Sequence, residues 1–296
     1  MSKEIWFEIH APPEGKSFEE IKQICQTAEE AGFDLFTITD HFMNMRNPRG
    51  VGNHPLESWT TLAALAAVTK KIKLGTLVTC YAYRRPTVLA KMATTVDIIS
   101  GGRLIFGIGA GWHEEEFNGF IGSFPSAKER LRGLLETIEI CKSMFTSERT
   151  TYHGRLYIVN NVLNSPQPVQ KPIPILVGGS GEKVTLKIAA KYADISHLIT
   201  SGLSEVTDLS ELDHKLSVLK KHCEAIGRDY NDIRKATFIW LSRLVSDNSI
   251  EDIVNKINEY KNRGIGLITF LVSGARALSD VQLLSKEVMP QFQTHH

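Results

Sequence analysis

The feature that most restricts this chain is a rhythm. Short strand-like apolar runs give way to helical stripes, and the exchange repeats eight times from Ile5 onward. Ile5–His10 reads as a strand. Ser17, with Glu20 three residues on, opens a helix through a capping box, and Gly32 closes it. Phe33–His41 is the second strand, Ile72–Thr79 the third, and Arg103 opens the fourth. Ala127–Phe145 is a long helix. After an interruption, Ile175–Gly179, Asp194–Ile199, Arg234–Val245 and Leu267–Val272 are strands. Helices alternate with them over Glu182–Lys191, Asp208–Ile226, a segment capped by Ser249, and the C-terminal region. Strands joined by helical crossovers run parallel. A closed barrel of this kind needs about 250 residues, and a doubly wound sheet with an appendage competes with it. The helix-to-strand corner at Ala31–Leu35 resembles the one at Arg263–Leu267, and the same unit at both ends favours the barrel. The expected fold is therefore α/β: one (β/α)8 TIM barrel over residues 1–296. An insertion of about 150–174, with Pro166, Pro168, Pro172 and Pro174, would separate the fourth helix from the fifth strand.

Composition narrows the function classes. The formal net charge is +1 and there is no long basic run, so a nucleic-acid footprint is missing. No apolar run approaches the roughly 18 residues of a membrane span. The first ten residues carry Glu4 and Glu8 and pass straight into a strand pattern, unlike a signal peptide. Cys25, Cys80, Cys141 and Cys223 are far apart, form no C-x-x-C, and lack zinc-ligand spacing. A reducing, cytoplasmic location is expected. His295 and His296, a tag remnant or native residues, are left out of the argument.

In a barrel, chemistry sits at the carboxyl ends of the strands. The unusual residues of this chain fall there. Within Arg103–Phe117, Leu104, Phe106 and Ile108 share one strand face, and Ile105, Gly107, Gly109 and Gly111 share the other. Three alternating glycines mark a close approach by another backbone or a ligand, or simply a tightly packed corner. Trp112 would wall or stack on a planar ligand, or pack in the core. The run Glu114–Glu116 reads as a solvated first helical turn. Gly107-x-Gly109-x-Gly111 is not a dinucleotide fingerprint, because Trp112 stands where its third glycine belongs. Asp40–His41 could be an acid/base pair, a metal pair or a satisfied strand end; in regular strand geometry only one of the two faces the lumen. A histidine there suits proton transfer. The turn Gly178-Gly179-Ser180-Gly181 precedes a helix and offers N–H groups to a phosphate, or else is a flexible cap; it is not a Walker A loop.

Taken together, LESWTTLAALAAVTKKIKLGTLV, YRRPTVLAKMATTVDIISGGRLIFGIGAGWHEEEF and PILVGGSGEK resemble the luciferase-like flavin and deazaflavin oxidoreductases. With TITDHF and NSPQPVQKPIPILVGG, the chain is most similar to the branch described as coenzyme F420-dependent. The resemblance implies a TIM barrel with an insertion after the fourth helix. It implies a phosphate site at Gly178, Gly179, Ser180 and Gly181, and a non-prolyl cis peptide at Leu77–Val78 that backs the cofactor's central ring. Asp40 maps to a ring contact, Thr79 lies beside the ring, Trp112 borders it, and His41 takes a proton-transfer role. The partner is a small-molecule substrate, and pairing as a homodimer is common in such a family. The implied reaction is hydride transfer between the deazaflavin and a small organic substrate. An FMN-dependent monooxygenase, and a non-catalytic barrel that binds a phosphorylated ligand, are the alternatives. One departure stands out: some deazaflavin dehydrogenases carry a glutamate where this chain has Trp112, and a chain with tryptophan there does not supply a proton in the same way.

Overall fold

The structure is a computed structural model and describes residues 5–45, 47–199, 209–241 and 250–292. Eight parallel strand positions close into a barrel. In chain order they are β1 (Trp6–His10), β2 (Leu35–Ile38), β3 (Lys73–Thr76) continued by β4 (Thr79–Cys80), β5 (Leu104–Gly109), β8 (Ile175–Gly178), β9 (Ile195–His197), β10 (Arg234–Trp240) and β11 (Ile265–Leu271). β1 pairs with both β2 and β11, and β3 and β4 pair with β5, which leaves no open edge. The helices lie outside: α1 (Phe18–Glu30), α2 (Ser58–Val68), α3 (Pro86–Ser100), α5 (Ala127–Thr146), α6 (Thr185–Tyr192), α7 (Leu209–Glu224), α8 (Ile250–Asn262) and α9 (Ala277–Leu283), with the one-turn α4 (Glu114–Glu116) after β5. The expected (β/α)8 barrel is the observed fold.

Local chemistry sets the helix ends where the sequence placed them, with few exceptions. Ser17 and Glu20 form the reciprocal capping box of α1, and Ser126 with Glu129 forms that of α5. α2 starts at Ser58, where the Glu57 carboxylate accepts the N–H groups of Trp59 and Thr60. The helix expected from Glu182 begins at Thr185, after a turn. The sixth strand is shorter than expected, at three residues. Ser249 and the far end of the seventh strand lie outside the described residues.

The insertion after α5 is an antiparallel hairpin, β6 (Arg149–His153) and β7 (Ile158–Leu163). Buried Glu136 of α5 ties it down by accepting the N–H groups of Arg155, Leu156 and Tyr157 at 2.9–3.1 Å. Ser165–Pro166 and Lys171–Pro172 are cis.

Parallel strands covered on both faces must satisfy two interiors. Phe7, Ile9, Phe36, Ile38, Leu104, Phe106 and Ile108 face the helices in the larger core. Leu35, Ile105, Leu176, Ile195, Ala236 and Leu267 fill the lower barrel interior. Above them the lumen turns polar, with Glu8, Thr37, His197 and Thr269 all fully buried.

Candidate active site

A cavity of about 740 Å³ opens at the carboxyl ends of the strands, and all eight strand positions contribute to it. His10, Leu271 and Phe238 come from β1, β11 and β10; Asp40 and His41 follow β2; Leu77, Val78 and Cys80 flank the break in β3; Gly109 and Trp112 follow β5. Gly178–Gly181 and Ile199 complete it. The size is that of a pocket for a ligand of drug or cofactor dimensions.

The Leu77–Val78 peptide is cis, as the resemblance implied. Here the glycines of β5 find their physical reason. A Cβ on Gly107 would stand 1.8 Å from the Thr76 carbonyl oxygen, and one on Gly109 would stand 2.7 Å from Val78 Cγ2. Gly178, from β8 on the other side, would bring a Cβ within 2.9 Å of Val78 Cγ1. Two neighbouring strands are thus stripped of side chains so that the Leu77–Val78 step can push into the lumen. The close approach expected at this glycine face is by protein backbone and Val78.

Asp40 and His41 both border the cavity, against the expectation that only one would. β2 ends at Ile38, so the two residues lie in irregular chain where strand alternation no longer applies. Asp40 is held by Arg84, whose guanidinium bonds both carboxylate oxygens at 2.7 and 3.1 Å and also reaches Glu57. His41 Nδ1 lies 2.7 Å from Glu116 Oε2. The Glu116 carboxylate also accepts the Tyr83 hydroxyl and the N–H groups of Phe42 and Met43.

This corrects the solvated reading of Glu114–Glu116. Glu114 is exposed and Glu115 half-buried, but Glu116 has no exposed surface. His113 caps the turn by accepting the Glu116 N–H, and one helical turn carries Glu116 inward. Burial works against its charge; the hydrogen bonds from His41, Tyr83 and Met43 outweigh burial and hold its pKa below the ordinary carboxylate value. With Nδ1 engaged by the carboxylate, His41 keeps Nε2 for a ligand.

Trp112 is 45% exposed and meets the His41 ring edge-on at 5.7 Å, so it is a wall of the cavity mouth and not core. Thr79 departs from the position implied beside the ring. It is fully buried, its hydroxyl bonds Trp59 Nε1 and Thr76 Oγ1 at 2.9 Å each, and Cys80 takes its place on the lining. Burial pushes the Cys80 thiol up to about 12, which removes it as a nucleophile near neutrality.

In the turn after β8, Gly179 has φ +118°, a conformation that favours glycine. Its N–H is spent on the His197 carbonyl, and Ser180 Oγ accepts the Ile199 N–H. The N–H groups of Ser180 and Gly181 find no acceptor among the described residues. Two N–H groups that no described residue occupies, beside a cavity and ahead of α6, suit an anion.

Glu116, Arg84, Tyr83 and His10 are the site residues that sequence reasoning missed. Arg84 carried a faint signal, as an arginine in the loop between a barrel strand and the helix that follows it. Among the described residues no group of three or more His, Cys, Asp or Glu could hold a metal. No helix among them is long and apolar enough to cross a membrane. All four cysteines are buried and free.

With the geometry in place, comparison decides the family. A model of luciferase-like monooxygenases matches residues 3–268. The chain belongs to the luciferase-like monooxygenase family. Among curated relatives, an F420-dependent glucose-6-phosphate dehydrogenase of Kineococcus radiotolerans is 33% identical over 73% of this chain and 61% of its own length. A pyrimidine monooxygenase, RutA of Acinetobacter baylyi, is 31% identical over 74% of this chain and 58% of its own length. The chain thus spans about three fifths of these relatives. Among solved structures, an F420-dependent secondary alcohol dehydrogenase in complex with an F420-acetone adduct superposes with TM-score 0.83 at 17% identity, covering 98% of this chain and 99% of that one. A riboflavin lyase, RcaE, with modified FMN also reaches TM-score 0.83, at 12% identity, with 98% and 91% covered. At such identities these structures speak for the fold, and this family member shares it.

Proposed function

We propose that this family member is an oxidoreductase that transfers a hydride between a deazaflavin of the coenzyme F420 type and a small organic substrate. The observation that carries the reading is one cavity holding two recognition elements. The Val78 shelf, made possible by Gly109 and Gly178, offers a flat apolar seat, and the Ser180–Gly181 N–H groups offer an anion site. A planar ring system with a phosphorylated side chain needs both. The cofactor, when bound, supplies the hydride chemistry.

The protein's own part is position and protons. Trp112 and the Leu77–Val78 step wall the ring seat, and Asp40 is fixed by Arg84 at its border. His41, oriented by Glu116 and Tyr83, is the proton-transfer residue, exchanging a proton at Nε2. Trp112 cannot donate the proton that a glutamate could, so the sugar-phosphate substrate of the F420-dependent relatives is not carried over.

The match to RutA supports a second reading, an FMN-dependent monooxygenase built on the same cavity. Titration of the purified chain with F420 and with FMN, followed by fluorescence, separates the two. Tighter binding of F420 is expected. Preference for FMN replaces the first reading with the second, and binding of neither removes both.

A further inference from the structure

Below the cavity the lumen holds a chain of hydrogen bonds that the proposed reaction does not use. It starts at His10, which lines the cavity floor. His10 Nδ1 lies 2.9 Å from Thr37 Oγ1, and the Thr37 hydroxyl donates to Glu8 Oε1. The other oxygen, Glu8 Oε2, accepts the Thr269 hydroxyl at 2.7 Å, and His197 Nε2 lies 3.0 Å from Thr269 Oγ1. Glu8, Thr37, Thr269 and His197 are fully buried and His10 nearly so.

The donors can be assigned. With Thr37 donating to Glu8, its oxygen must accept from His10, so His10 carries its proton on Nδ1 and presents a bare Nε2. The same logic puts the His197 proton on Nε2, and its Nδ1 has no partner among the described residues. Put one proton on Glu8 and the short arm reverses. The carboxyl donates to Thr37, Thr37 donates to His10 Nδ1, and His10 must carry its proton on Nε2.

We propose that Glu8, Thr37 and His10 form a proton relay, in which His10 Nε2 is a second proton port in the cavity floor and Glu8 is the buried store. A proton accepted at His10 Nε2 is matched by the Nδ1 proton passing to Thr37 Oγ1 and the Thr37 proton passing to Glu8 Oε1. One proton enters, one settles on the carboxylate, and no electrons move. Run backwards, the store protonates a group in the cavity. The relay rests on the hydride-transfer reading for its use, since hydride transfer to or from an organic substrate requires a proton to follow.

The surroundings suit a store. Burial pushes Glu8 up to about 7, against the hydrogen bonds from Thr37 and Thr269, so both protonation states are accessible near neutrality. Burial holds His10 and His197 neutral, both down to about 3. The charged or titratable groups facing His10 are His197 across the lumen, Lys16 in the loop after β1, and His41 after β2. Phe238 of β10 packs on both imidazoles, at 5.7 Å from His10 and 4.5 Å from His197.

The test needs no cofactor. In the 15N-labelled full chain, the His10 ring nitrogens report the tautomer. Across about pH 5.5 to 8.5 His10 is expected to stay neutral while its proton moves from Nε2 to Nδ1 as pH rises, with an inflection close to that of Glu8. Infrared spectra should show a protonated carboxyl band disappearing over the same range. Glu8→Gln should abolish both signals. Thr37→Val should keep the carboxyl band and lose the tautomer exchange, and it decides the matter where Glu8→Gln does not fold. A His10 tautomer that is constant with pH, or an inflection that survives Glu8→Gln, overturns the relay. Failure to bind a deazaflavin would sink the hydride reading and leave this result untouched.

Discussion

At the scale of the residue, the site turns on one carboxylate. Glu116 accepts from His41, Tyr83 and two backbone N–H groups while fully buried. Glu116→Gln places an amide donor against some of those donors, so the His41 ring loses its fixed orientation. Turnover is expected to fall about 10- to 100-fold, the scale of losing a partner that orients a histidine and short of the roughly 100- to 10,000-fold worth of the acid or base itself, with cofactor affinity within about threefold of the parent. The exposed neighbour change Glu114→Gln should leave both unaltered. Steady-state kinetics with a separate cofactor titration reads the split; equal losses in turnover and affinity would make Glu116 a general packing residue. The sequence showed His41 plainly, because a histidine beside a strand end is unusual. It hid Glu116, because three consecutive glutamates look alike until a cap at His113 fixes which one the turn carries inward.

At the scale of the element, β5 and β8 are shaped around a third strand. Their glycines are legible as a pattern of period two, and the sequence marks them as a place of close approach. What approaches cannot be read from β5 alone, since it depends on the Leu77–Val78 step in β3 and β4, some thirty residues earlier. The same holds for Thr79, whose side chain turns to Trp59 and Thr76 once the strand is interrupted. The geometry makes a reciprocal prediction. A Cβ on Gly109 meets Val78 Cγ2 at 2.7 Å, so Gly109→Ala should displace the ring seat and cost about 1–3 kcal/mol of stability. Deazaflavin affinity should drop by about tenfold. Shortening the partner, in Gly109→Ala with Val78→Ala, should recover much of the lost stability, as coupled neighbours do. Gly107→Ala should be worse and beyond such rescue, because its Cβ would collide with the Thr76 carbonyl at 1.8 Å. Denaturation midpoints of these three variants and of Val78→Ala alone check this; additive losses in the double variant would mean that Val78 and Gly109 are not coupled.

At the scale of the whole molecule, the barrel was legible from its rhythm, whereas the polar centre of the barrel was not. In WFEIH the glutamate sits between Phe7 and Ile9, and the sequence reading used it only as a charge near the N-terminus. Its meaning depends on Thr37 from β2 and Thr269 from β11, which closure alone brings together. That centre should set how stability responds to pH. Glu8 is raised from 4.5 to about 7 by burial, so its contribution is full below pH 4.5 and is lost as pH rises through 7. His10 and His197 are lowered from 6.5 to about 3, so theirs is full above pH 6.5 and is lost as pH falls. Around pH 5.5 the folded chain therefore holds one extra proton on Glu8 and lacks one on each histidine. The histidines prevail by one proton, and these three groups together make stability rise with pH by roughly 1.4 kcal/mol per unit. Glu8→Gln removes the opposing proton. Urea denaturation of both proteins should give a stability difference, variant minus parent, that grows by about 1.4 kcal/mol per pH unit between about pH 5 and 6.5 and levels off above about 7.5. Parallel curves would mean that the closed barrel does not hold Glu8 protonated, and that the cavity floor stores no proton.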